Sequence, residues 1–169
     1  MNYERVLRDL KEVLDNLNDG PEEVSIPVPA ADRDLFMEIA WQYYGTWYKW
    51  AGDDKSGIDC SGLVVECCLS LGLLGGIKDL NAAGLFKHFN KSGGKAKPAR
   101  GCLVFYGKSQ ENISHVGICI NDKFMLEAGG GDSKIKTEIE AIKSNAFVKV
   151  RPINLRNDIV GYVDPFSKS

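Results

Sequence analysis

The stretch from Leu63 to Leu71 has almost no side that could face water. Leu63, Val64, Val65, Cys67, Cys68, Leu69 and Leu71 surround any helix drawn through it, with Asp59 before it and Gly72 just beyond. A helix that is apolar all round must be covered by other layers. From Gly101 onward the chain supplies candidates for that cover. Cys102 to Tyr106, His115 to Ile120, Phe124 to Ala128, Ile135 to Ile139 and Ala146 to Ile153 are rich in β-branched and aromatic residues, with turn residues between them. Helices followed by a run of strands predict an α+β domain, helices packed on a mostly antiparallel sheet of about five strands.

Further helices are expected on either side. Leu35, Phe36, Ile39 and Ala40 share one face of a helix over about 33–44, capped near Asp32 and ended by Gly45. A short helix is expected over 82–89. At the N-terminus, Val6, Leu7, Leu10, Val13, Leu14 and Leu17 form an amphipathic stripe over residues 1–20, stopped by Gly20-Pro21. Two readings are open for that helix: packing on the domain, or docking to a partner chain. Residues 21–30, with Pro27 and Pro29 around Val28, read as an extended connector, which leaves residues 31–169 as the main domain.

A chain of 169 residues with 44% hydrophobic content can bury one core. A net charge of −2 argues against nucleic acid as a main partner, and no apolar run approaches the roughly 20 residues needed to span a bilayer. Met1-Asn2-Tyr3-Glu4-Arg5 leads into charges rather than an apolar leader, so the expectation is synthesis in a cytoplasm without a secretory signal. The five cysteines make no zinc-ligand spacing. Cys67, Cys68, Cys102 and Cys119 sit in apolar runs and read as small core residues.

Cys60 is different. It lies in Gly57-Ile58-Asp59-Cys60-Ser61-Gly62, where a polar loop enters the buried helix. The free N–H groups and positive dipole end of a helix favour a reactive thiolate. Gly57 and Gly62 are expected to allow a tight turn and leave space for a substrate, and Asp59 can cap the helix. A thiol nucleophile needs a base. Of the two histidines, His88 lies in a basic segment between Lys87 and Arg100, which reads as a solvated loop or a contact for anionic wall polymers. His115 opens a strand and is the better base.

A third group should orient the imidazole, and Glu127 on the next strand is the candidate. Pairing His115 with Glu127 across the hairpin puts both on one face and requires Ile120-Asn121-Asp122 as a three-residue loop. A two-residue turn would put Glu127 on the opposite face. The alternative for Glu127 is a partly exposed strand carboxylate.

Together these motifs resemble a known family. Tyr44-Gly45-Thr46-Trp47-Tyr48-Lys49-Trp50-Ala51-Gly52, Gly57-Ile58-Asp59-Cys60-Ser61-Gly62-Leu63-Val64 and His115-Val116-Gly117-Ile118 resemble the NlpC family of papain-like cell-wall cysteine peptidases, from about Ala31 to Ile153. The resemblance implies Cys60 as nucleophile, His115 as base and Glu127 as third residue. It also implies that Tyr48 helps position the scissile carbonyl, and that Asp59 and Ser61 contact the free amine and carboxylate of a peptidoglycan stem peptide. The implied reaction needs no cofactor and cuts D-γ-glutamyl–diamino acid bonds. Three departures stand out: Glu127 replaces the more frequent histidine, asparagine or glutamine, Cys102 takes the place of the aspartate in the family's frequent Gly-Asp-Leu-Val turn, and Ala51-Gly52 replaces Gly-Gly. Residues 127–132 also look like prophage and tail-associated members, which implies delivery to the cell wall by a virion or holin. Two rivals are a catalytically silent wall-binding or tail module, and an amidase or acyltransferase with the same thiol chemistry.

Overall fold

The computed structural model describes residues 28–90 and 93–167. The expected N-terminal helix over 1–20, and the connector up to residue 27, lie outside the described residues.

The first helix, α1, spans Val28–Trp41. It begins inside the segment read as an extended connector and ends before Tyr44. Pro29 falls in its first turn, where a missing N–H removes no helical hydrogen bond. Phe36, Met37 and Ala40 are buried, whereas Leu35, expected inward, faces out. A two-strand hairpin, β1 (Asp53–Asp54) and β2 (Gly57–Ile58), then leads into α2 (Cys60–Ser70). Asp59 caps α2 as expected, and Leu63, Val64, Val65, Cys67 and Cys68 are buried along it. Helix α3 covers Ala82–Phe89 and is capped by Asn81.

The sheet follows: β3 (Leu103–Ser109), β4 (Asn112–Cys119), β5 (Phe124–Gly129), β6 (Phe147–Pro152) and β7 (Ile159–Val163). Their order is β6-β5-β4-β3-β7, and every pairing is antiparallel. One expected strand is corrected here. Ile135 to Ile139 is not a strand, because Thr137 and Glu140 form a reciprocal capping box that starts α4 (Glu138–Lys143). The fifth strand is instead β7.

Both faces of the sheet are covered. Leu103, Phe105, Val116, Ile118, Leu126, Ala128 and Val148 join the core that includes α1, α2 and α3. On the other face Cys102, Val104, Tyr106, Cys119 and Met125 form a smaller cluster closed by Ile153. The Tyr106 hydroxyl donates to the Ile153 carbonyl at 2.9 Å, so its polar end is satisfied there. Alternation along the strands divides the side chains between these two cores. No described helix is long and apolar enough to cross a membrane.

Phe105 ties the sheet to α3, its ring edge-on to Phe86 with centroids 5.1 Å apart. It is fully buried, so Phe105→Ala should cost about 3–5 kcal/mol of stability. Urea unfolding measures this directly, and a loss below about 1 kcal/mol would show that the two layers do not depend on this contact.

Candidate active site

The site begins with how α2 starts. Asp59 Oδ1 accepts from Ser61 N (2.9 Å), Ser61 Oγ (2.8 Å) and Gly62 N (2.8 Å), while Oδ2 accepts from Ala51 N (2.9 Å). These bonds satisfy helix N–H groups that lack intrahelical partners and fasten the preceding loop to the helix. Ala51 adopts a positive φ of 56° to present its N–H, a conformation that disfavours any residue but glycine.

Gly62 answers to its own chain rather than to space for a substrate: a Cβ there would lie 2.2 Å from the Gly52 carbonyl oxygen. The loop crosses directly over the first turn of α2. The result is Cys60 as the first residue of the helix, partly exposed, among five cysteines of which the other four are buried. Burial pushes the thiols of Cys67, Cys68, Cys102 and Cys119 upward, which keeps them in the unreactive form.

His115 comes from β4. The β3–β4 ladder pairs Tyr106 with His115 and then Gly107 with Ile113, so its register breaks beside His115. Such an irregularity re-aims the side chain next to it. The ladder between β4 and β5 consists of Ile118↔Leu126 and Cys119↔Met125. Continuing this register puts Glu127 opposite Gly117, not His115 as expected. The three-residue loop falls at 121–123, one residue later than expected, with Ile120 N–H donating to Phe124 O at 2.8 Å. This shift moves the pairing by two, so both residues keep one face.

Glu127 therefore reaches His115 diagonally. His115 Nε2–H donates to Glu127 Oε2 at 2.5 Å, which leaves Nδ1 unengaged by Glu127, and the Cys60 side chain lies near enough to raise the proton affinity of the ring. Glu127 is 4% exposed, so it is a buried carboxylate and not the partly exposed one of the alternative reading. Room for the diagonal comes from Gly129, where a Cβ would lie 2.3 Å from Glu127 Oε1.

Burial disfavours the charged imidazole, but the hydrogen bonds and charges of Cys60 and Glu127 outweigh it and push His115 up to about 9. Tyr48 is buried and its hydroxyl is raised well above the ordinary tyrosine range, first by burial and then by Cys60, Asp59 and Asp132. It is thus a neutral donor.

Tyr48, Asp59, Cys60, Ser61 and His115 all line one open cleft of about 830 Å³, joined by Arg156. Glu127 stands behind His115. Arg156 and Arg151 were not anticipated. Arg151 pairs through Nε with Glu127 Oε1 at 3.4 Å. Arg156 is held by Asp158 through two bonds (2.8 and 2.5 Å) and lies over the Tyr106 ring. The cross-strand rule for opposite charges would reveal Arg151 only once the β5–β6 register is known. His88 lies apart, with its Nε2 3.3 Å from the Leu73 carbonyl.

The class is thus an α+β fold in which a helix-initial thiol shares a cleft with the imidazole of a histidine–glutamate pair carried by an antiparallel sheet. A model of the NlpC/P60 family matches residues 45–151, more than half of the chain, and the chain belongs to that family. Among solved structures it is similar to an NlpC/P60 family protein from Bacillus cereus, with 19% identity and a TM-score of 0.59, covering 80% of this chain and 40% of that one. It is also similar to the NlpC/p60 domain of the peptidoglycan hydrolase SagA, with 23% identity, a TM-score of 0.54, and 78% and 97% of the two chains covered. A third similar structure is RipD from Mycobacterium tuberculosis, described as a non-catalytic NlpC/p60 protein adapted to peptidoglycan binding. Its identity is 22% and its TM-score 0.57, with 79% and 95% covered. At these identities the likeness concerns the fold. The family acts on or binds peptidoglycan and usually consists of cysteine peptidases, with some members non-catalytic.

Gly129→Ala should displace the Glu127 carboxylate and lower the His115 titration by about one unit, toward its ordinary value. Histidine-selective NMR reads this, and an unchanged His115 would show that Glu127 reaches the ring without that space.

Proposed function

We propose that this protein is a peptidoglycan hydrolase, a cysteine peptidase that cuts an amide in the cell-wall stem peptide, with Cys60, His115 and Glu127 acting together. One observation supports the reading: Cys60 and His115 line the same cleft, and His115 is backed by the buried Glu127 carboxylate at 2.5 Å. The domain proposed to hold this activity is residues 31–169.

In the proposed reaction His115 draws the proton from Cys60, and the thiolate attacks the carbonyl carbon of the scissile amide. The charge that develops on the carbonyl oxygen is met by the Cys60 backbone N–H, with Tyr48 as second donor. A hydroxyl that keeps its proton suits that part. His115 gives its proton to the leaving amine, and water then hydrolyses the thioester. Glu127 orients the ring and stabilises the imidazolium.

The bond proposed is that between D-γ-glutamate and a diamino acid, with Ser61 and Asp59 receiving the free end of the peptide. Asp59 already accepts three hydrogen bonds on Oδ1 and one on Oδ2. An approaching ammonium would find its remaining lone pair on Oδ2. The resemblance of residues 127–132 to tail-associated proteins concerns delivery, and no step of the chemistry depends on it.

RipD supports a second reading, in which the fold only binds wall. The two part on Cys60→Ala. Under the peptidase reading this variant should release soluble peptides from purified peptidoglycan at least about 10³-fold more slowly than wild type, measured by mass spectrometry of the digest. Equal release would overturn the reading, as would intact wall with the wild-type protein.

The pH dependence has a definite sign. His115 lies above its ordinary 6.5 in the folded protein, at about 9. The protonated ring therefore stabilises the fold fully below about 6.5, and that contribution is lost as pH rises through about 9. The same proton serves the leaving amine, so kcat/KM should fall as pH rises through about 9. A profile still rising through that range would contradict His115 as the acid.

A further inference from the structure

The carboxylate of Glu127 is an unusual load for this place in the site. It is 4% exposed and in contact with an imidazole that must both take and release a proton. A buried carboxylate bonded to imidazole alone favours imidazolium strongly, which suits stabilisation but opposes proton release. Something must share the charge.

The charged and titratable groups around the pair are few. From β6, Lys149 is the register partner of Glu127, but its ammonium lies over the Phe147 ring at 4.2 Å and donates to the Asn145 carbonyl at 2.5 Å. Arg156 is held by Asp158. Arg151, the partner of Met125 on β6, reaches diagonally along the same face of the sheet. Its Nε stands 3.4 Å from Glu127 Oε1, the oxygen that His115 leaves free. His115 itself is faced by Cys60 from α2, Glu127 from β5, the Tyr106 ring from β3 at 5.8 Å, and the charge of Asp158 ahead of β7.

We propose that Arg151 is a positioning residue that divides the Glu127 carboxylate with His115, one oxygen each, so that a full carboxylate can stand here while holding the imidazole's proton less tightly than it would alone. The inference rests on the proposed peptidase reading for its purpose, though its physical content does not need turnover. A glutamate at this position and a cation two residues from its register partner belong together.

The test uses the intact protein with its histidines ¹³C-labelled. The sequence has two histidines, so His88 on α3 serves as the internal standard for an undisturbed fold. Removing a positive charge beside the pair stabilises the bound proton, so Arg151→Met should move the His115 titration upward by about half a unit or more. The alkaline limb of the activity profile should follow it. Arg151→Lys keeps the charge and should hold His115 within about 0.3 units of wild type.

A titration that stays put or falls in Arg151→Met, with His88 unchanged, overturns the inference, because a merely structural arginine would loosen Glu127 and lower His115. The two readings fail separately. An upward shift in a protein that leaves cell wall intact supports the inference and refutes the peptidase. Wall cleavage with an unmoved His115 does the reverse.

Discussion

A carboxylate buried to 4% exposure cannot stand in a protein interior without partners. Glu127 has two, the His115 ring on one oxygen and the Arg151 guanidinium on the other. The rest of the site is arranged around that constraint. The β5 strand carries the acid, β4 the imidazole and β6 the cation, so one sheet fixes all three. The diagonal geometry lets the carboxylate lie over Gly129 instead of beside its own register partner. Charge and steric fit are thereby linked: a side chain on Gly129 would break the same bond that a neutral residue at 127 would weaken.

The thiol arrives from a different layer, and its position rests on backbone contacts. Gly62 and Gly52 approach closely enough to exclude a Cβ, and Asp59 collects four donors from the loop and the helix. Ala51, in a left-handed conformation, is where this sequence bears some strain. Asp59 is therefore first a builder of the helix start. Any contact with substrate is an addition to that task. Helix α2, apolar along its buried length, holds Cys60 against the sheet that carries His115.

Much of this was legible in the chain. The all-apolar helix, its Asp59 cap and the four inert cysteines follow from local composition, because burial leaves a direct mark on residue type. Cys60 stood out as a reactive side chain where a polar loop meets a helix, whereas His115, expected to open its strand, lies inside β4, which begins at Asn112 because Asn112 and Ile113 already pair with β3. Glu127 was reachable because parity along a strand survives a register error of two. The register itself was not, since turn position depends on Asn121 accepting from both Lys123 N and Phe124 N. Residues 135–139 misled because β-branched and apolar side chains there imitate a strand. The Thr137–Glu140 capping box was the better signal. Arg151 and Arg156 could not be read in advance. An exposed-looking cation on an edge strand acquires meaning only once its cross-strand neighbours are known.

Family membership narrows the chemistry without deciding it, because the same fold serves SagA's hydrolase domain and the non-catalytic RipD. What separates the two outcomes for this chain is whether the Cys60 sulfur is coupled to His115. The rate at which iodoacetamide alkylates Cys60 at pH 6, followed by peptide mapping, reads that coupling directly, with the four buried cysteines as controls. The account predicts that His115→Ala slows alkylation of Cys60 by about tenfold or more. Equal rates in the two proteins would contradict it.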